Sequence, residues 1–203
     1  MTDEEIRQIL IKRKRQQRAR QRRKRIIAFV LAAAVGLSLA YVLGNTLGNR
    51  KYDSEIAGIV SVTEDMPIIN AAVPEIGNEG GEPYWKWFGF DSRVEWCAIF
   101  ASWCAQQCGY LESGQAPSFA LVSDGSDWFK MRDQWLEPSS TPEPGDLIFF
   151  DWEQDEARDH VGIVTAVVGD KVFTIEGNSS DRCRRKRYSL DDPVIYGYGQ
   201  IKE

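Results

Sequence analysis

One histidine, His160, serves all 203 residues, and no two of the four cysteines have CxxC spacing. A single imidazole excludes any site built on a pair of histidines. The missing CxxC argues against a zinc site, so Cys104 and Cys108, at i and i+4 on one helix face, read as core packing. A disulfide between exported cysteines is the next alternative. No internal repeat is visible, and the length excludes two large domains. What remains is one medium domain with appendages, in a chain that is 43% hydrophobic and 27% charged.

Charge is unevenly spread. The formal net charge is −5, yet residues 1–25 hold 11 Lys and Arg against 3 Asp and Glu, and the other 178 residues are net −13. The run IIAFVLAAAVGLSLAYVLG, Ile26 to Gly44, has no charge over 19 residues, long enough as a helix to cross a hydrocarbon core of about 30 Å. Ten of the 14 residues from Lys12 to Arg25 are basic, which keeps the N-terminus cytoplasmic and exports the rest. Tyr41, Val42 and Leu43 fit a signal-peptidase site poorly, so an uncleaved single-pass anchor is favoured over a cleaved signal. The basic block reads as a solvated tail that sets topology, with anionic lipid as a further contact; it does not identify a nucleic-acid binder.

The chain divides into a basic cytoplasmic tail (1–25), a transmembrane helix (26–44), an extracytoplasmic stalk (45–78) with one short helix near Ser54 to Val62, and a folded domain (79–203). Gly80 to Pro83 punctuates the start of the domain, before Tyr84, Trp85, Trp87, Phe88 and Phe90. Cys97, Phe100, Ala101, Cys104 and Cys108 share one helical face and Gly109 stops the helix. A second short helix covers Ser126 to Trp135. After Pro142 to Asp146 the period changes to strands: LIFFDW, HVGIVTAVV and KVFTIEGN. Helices followed by an antiparallel sheet make the fold class α+β.

A thiol at a helix start sits where free N–H groups and the helix dipole favour the thiolate. Cys97 holds that position and His160 opens a strand downstream, the two parts of a thiol–imidazole pair. A third group must fix the ring, and Glu176 and Asn178 are in reach of the same hairpin. A two-residue turn at Gly169 and Asp170 puts His160 and Glu176 on opposite faces; an odd loop or a bulge puts His160, Gly162, Glu176 and Asn178 on one face. The catalytic reading therefore predicts the odd loop or the bulge.

The ordered set EPYWKWFGF, VEWCAIFASWCAQQCGY, PGDLIFFDW, DHVGIV and TIEGNS resembles the CHAP family, cysteine- and histidine-dependent amidohydrolases and peptidases of bacterial peptidoglycan, over about residues 79 to 200. The resemblance implies a papain-like α+β fold with the nucleophile helix packed on an antiparallel sheet. It implies Cys97 as nucleophile, His160 as base, Glu176 as orienting acid and Asn178 as a secondary polar partner. Peptidoglycan is the implied substrate, cut at the muramoyl–L-alanine amide or at a peptide bond; a wall-binding module without turnover is the rival. NlpC-type peptidases with a second histidine are excluded by the lone His160. The acidic pattern that holds Ca²⁺ in some family members is missing, since in DSRVEWC only Asp91 and Glu95 are acidic, so neither metal nor cofactor is expected. Tyr84, Trp87 and Trp96 are candidate substrate contacts, with Trp96 shielding the thiol; Tyr84, Trp85 and Trp87 read as core or as a groove lining, with core favoured for at least one of the three. The acidic stretch Asp151 to Asp159 reads as a solvated loop. The run RCRRKR, Arg182 to Arg187, reads as an exposed hairpin edge or a contact for anionic wall polymer.

Overall fold

The computed structural model describes residues 66–202. The basic tail, the apolar run Ile26–Gly44 and the short helix expected near Ser54 to Val62 lie outside the described residues. Within them the elements are α1 (Pro67–Ala72), α2 (Glu82–Phe88), α3 (Cys97–Gln107), α4 (Val122–Lys130), β1 (Trp135–Leu136), β2 (Leu147–Phe150), β3 (His160–Val168), β4 (Lys171–Glu176), β5 (Arg184–Ser189) and β6 (Ile195–Gly199). The strands form one antiparallel sheet in the order β1-β6-β2-β3-β4-β5. The fold is α+β. None of the described helices is long and apolar enough to cross a membrane.

Helix α3 is the centre of the helical layer. Besides Cys97, Phe100, Ala101 and Cys104 it buries Ala98, Ile99, Ser102 and Ala105, so it is enclosed nearly all round, where a surface helix hides only one stripe. The one buried hydroxyl, Ser102 Oγ, donates to the Phe119 carbonyl and accepts from the Phe119 N–H, both at 2.9 Å, which removes the cost of burying it. Past the helix end, Gly109 turns the chain with φ of 75°.

Side chains alternate across the strands. Leu147, Phe149, Val161, Ile163 and Ile175 join the helices in the main core. Ile148, Phe150, Val164, Val172, Ile195 and Tyr198 build a smaller cluster on the other face.

Two boundaries differ from expectation. Helix α1 lies in the stretch expected as stalk, yet its Ile68, Ile69 and Ala72 are buried in the main core; Pro67 at its first turn is preset for helix. Helix α4 runs Val122–Lys130, shifted from the expected Ser126 to Trp135. Burial of Val122 and Phe129, seven residues apart on one face, fixes it there. Asp133 then adopts φ of 54°, and Trp135 enters β1 opposite Gly199.

Candidate active site

The β3–β4 hairpin turns in two residues, pairing Val168 with Lys171, and its register shifts between Val164 and Ala166. That bulge at Thr165 restores the phase: Val164 pairs with Thr174 and Ile163 with Ile175. His160, Gly162 and Glu176 consequently share a face, the arrangement that the sequence required of a catalytic hairpin. Gly162 makes it possible, because a Cβ there would lie 2.7 Å from Glu176 Cγ. On the helical side, a Cβ at Gly177 would meet Phe100 at 2.5 Å, so this glycine lets α3 lie against the end of β4.

His160 Nε2 is 3.0 Å from Glu176 Oε2, with both residues buried. Cys97, first residue of α3, is the other side chain that acts on this ring. With Nε2 held by the carboxylate, Nδ1 is the nitrogen left for sulfur. Burial pulls the imidazole pKa down, and the hydrogen bonds to Cys97 and Glu176 outweigh it, raising His160 to about 10. The second carboxylate oxygen is also held: Thr174 Oγ1 donates to Glu176 Oε1 at 2.7 Å, and Thr174 is fully buried. The Tyr188 hydroxyl faces the same carboxylate, and burial with the charge of Glu176 pushes that phenol up. Cys97, His160, Glu176 and Thr174 thus form one continuous polar chain through an apolar wall that includes Phe150 and Trp152, each with its ring centroid 5.9 Å from the imidazole.

Thr174 and Trp152 were not singled out from sequence. Thr174 was open to detection, since a threonine two residues before a strand glutamate shares its face. Trp152 sits beyond the end of β2, where alternation gives no direction.

The other expected site residues are placed differently. Asn178, at φ of 58°, donates its amide to Glu95 and ties the turn after β4 to the segment before Cys97, whereas the imidazole has Glu176 and Cys97 as its partners. Tyr84 and Trp96 are corrections as substrate contacts: both are 0% exposed. Their rings stack at 5.3 Å, Tyr84 also packs edge-on against Phe100, and its hydroxyl donates to Glu75 at 2.6 Å. Trp87 is 38% exposed and stays accessible. Cys104, Cys108 and Cys183 are free thiols. Burial pushes all three up, Cys104 well above the usual range, Cys108 to about 11 and Cys183 to about 12. In the acidic loop, Asp151 accepts the backbone N–H of Asp155 and Glu156, and Asp159 that of Trp152, so these carboxylates shape the loop.

The sequence matches the CHAP domain over residues 89–178, a span that contains Cys97, His160, Thr174 and Glu176. No curated protein matches the chain. Among solved structures it is similar to Ly7917, at 17% identity and a TM-score of 0.43 over 65% of this chain and 60% of that one. Ly7917 with the hydrolyzing product of MDP gives the same TM-score at 18% identity over the same shares. A lipoprotein-like protein of the NLP/P60 family from Staphylococcus aureus subsp. aureus Mu50 aligns at 16% identity and a TM-score of 0.40, over 68% of this chain and 41% of that one. The chain therefore spans less than two thirds of the length of these structures. The matched span, residues 89–178, encloses the thiol, the imidazole and the carboxylate and is a CHAP domain.

Proposed function

We propose that this protein is a peptidoglycan hydrolase that cleaves an amide bond through a cysteine nucleophile, as a muramoyl–L-alanine amidase or a peptidoglycan endopeptidase. The observation that carries the reading is the Cys97–His160–Glu176 chain, with the imidazole raised to about 10 between thiol and carboxylate. An imidazole that holds its proton beside a sulfur is the ion-pair setting of thiol catalysis. The CHAP match supports the substrate class.

In the proposed reaction the sulfur of Cys97 attacks the amide carbonyl carbon and the C–N bond breaks as His160 gives its proton to the leaving amine. Water then attacks the thioester, His160 takes a proton from it, and the acyl group leaves as a carboxylic acid while Cys97 is regenerated. The first N–H groups of α3 have no partner within the helix, and in this reading that of Cys97 donates to the oxyanion. Glu176 fixes the ring tautomer and Thr174 fixes Glu176. The charge asymmetry of the chain supports a single-pass anchor at Ile26–Gly44, with the N-terminus cytoplasmic and the hydrolase outside.

The test is incubation of the full chain, wild type and Cys97→Ala, with purified sacculi, followed by mass spectrometry of released fragments. New peptide N-termini or freed lactyl groups from the wild type alone support the reading and name the bond. Equal release by both proteins, or none by either on several wall types, refutes it.

A further inference from the structure

At one end of the sheet a row of cross-strand neighbours runs from β2 to β5. Phe150 is opposite His160, and Glu176 is opposite Arg184. Lys186 lies opposite Thr174, two residues along β5 and on the same face. The face that carries His160 and Glu176 thus continues onto two cations of the edge strand.

Those cations lack the partners that other cations of this domain have. Arg93 pairs with Asp181, Arg158 with Asp127, Lys171 with Asp170 and Arg182 with Glu79. Among the described residues neither Arg184 nor Lys186 has a carboxylate within ion-pair distance; Lys186 lies 5.9 Å over the Tyr188 ring. The acid next to Arg184, Glu176, is buried and committed to His160 and Thr174. Cations on an edge strand deter strand pairing whichever face they occupy, and Arg185 and Arg187 on the opposite face already serve that end. Two further cations on the catalytic face, in a domain rich in acids, are left without a carboxylate partner among the described residues.

We propose that Arg184 and Lys186 form a subsite for a free carboxylate of the peptide substrate. Two strand spacings, about 10 Å, separate β3 from β5, and an extended peptide advances roughly 3.3–3.6 Å per residue. The recognised carboxylate therefore stands about three residues from the bond that Cys97 attacks. The subsite rests on the hydrolase reading, because it is the reacting amide that places the peptide over this row.

The full chain carrying R184Q/K186Q is compared with wild type on two soluble muramoyl peptides, one with free carboxylates and one with the same carboxylates amidated. Two partly exposed charge contacts correspond to roughly a tenfold change. The double variant should raise KM for the free-acid peptide about tenfold with kcat within about twofold, and leave the amidated peptide unchanged, and wild-type KM on the free acid should rise with salt. Equal KM for both proteins on the free-acid peptide, or an equal loss on the amidated one, overturns the proposal. A phosphate-bearing wall polymer is the other source of anions. If the variant is impaired on intact sacculi, matches wild type on sacculi stripped of such polymers, and shows no KM change on the free-acid peptide, the cations bind polymer and the substrate subsite is refuted. If wild type turns over neither peptide, the hydrolase reading fails by itself. Calorimetric binding of both peptides to Cys97→Ala, with and without R184Q/K186Q, then decides the subsite separately: tighter binding of the free acid that R184Q/K186Q abolishes supports it, and no difference refutes it.

Discussion

Replacing Gly162 by alanine tests whether the position of Glu176 matters. The new methyl carbon would lie 2.7 Å from Glu176 Cγ and 3.5 Å from its Cδ and from Ile148 Cγ2. Carbon atoms rest at about 3.5–4.0 Å, so the glutamate must retreat by roughly 1 Å. Thr174 holds the other carboxylate oxygen of Glu176, and the bond most readily lost is the 3.0 Å contact between His160 and Glu176. Overpacking of this kind costs about 1–3 kcal/mol of stability, and a catalytic group misplaced by about 1 Å can lower the rate about 100-fold. The expected result for Gly162→Ala is a folded protein, with a urea midpoint lowered accordingly, and kcat/KM on a soluble peptidoglycan fragment reduced by about two orders of magnitude, mostly in kcat. A variant that stays within threefold of wild-type kcat/KM refutes the claim that the carboxylate must be held where it is.

Removing the hydroxyl at position 174 should act through the same carboxylate. Thr174→Val deletes the 2.7 Å bond to Glu176 Oε1 and should lower kcat about tenfold, whereas Thr174→Ser, which keeps the hydroxyl, stays near wild type; loss of a hydrogen bond to a charged group is worth about 1.5–3 kcal/mol. A valine variant with unaltered kcat and pH profile counts against a positioning role. Stability should also depend on pH through His160. Its folded pKa, about 10, exceeds the unfolded value of 6.5, so folding binds the proton more tightly. The stabilisation is complete below about pH 6.5 and declines as pH rises toward 10. Urea midpoints from pH 6 to 10 should fall for wild type more steeply than for Glu176→Gln, and parallel curves would disprove the coupling.

What was legible in the sequence was local. The helix-start thiol, the strand-start histidine and the face shared with Glu176 follow from periods of 3.6 and 2, and these reduced the hairpin to an odd loop or a bulge. The bulge itself was chosen by the two-residue turn at Gly169 and Asp170, which forces the compensation at Thr165. Tertiary packing was not legible. Tyr84 reads as groove or core, and only the arrival of Phe100 and Trp103 against its ring decides for core. Helix α1 has six residues and no full amphipathic period, so its burial depends on partners distant in the chain. The meaning of the glycine in HVGIV was within reach, since a glycine inside a strand signals close approach.

The most direct measurement of the central claim, that Cys97 and His160 act as a pair, needs no substrate. Native wild type and His160→Ala are treated with iodoacetamide at pH 6, and alkylation of each cysteine is followed by peptide mass spectrometry. The account predicts that Cys97 is modified about tenfold faster or more in wild type than in His160→Ala, with Cys104, Cys108 and Cys183 slow in both. Equal rates at Cys97 in the two proteins would contradict it.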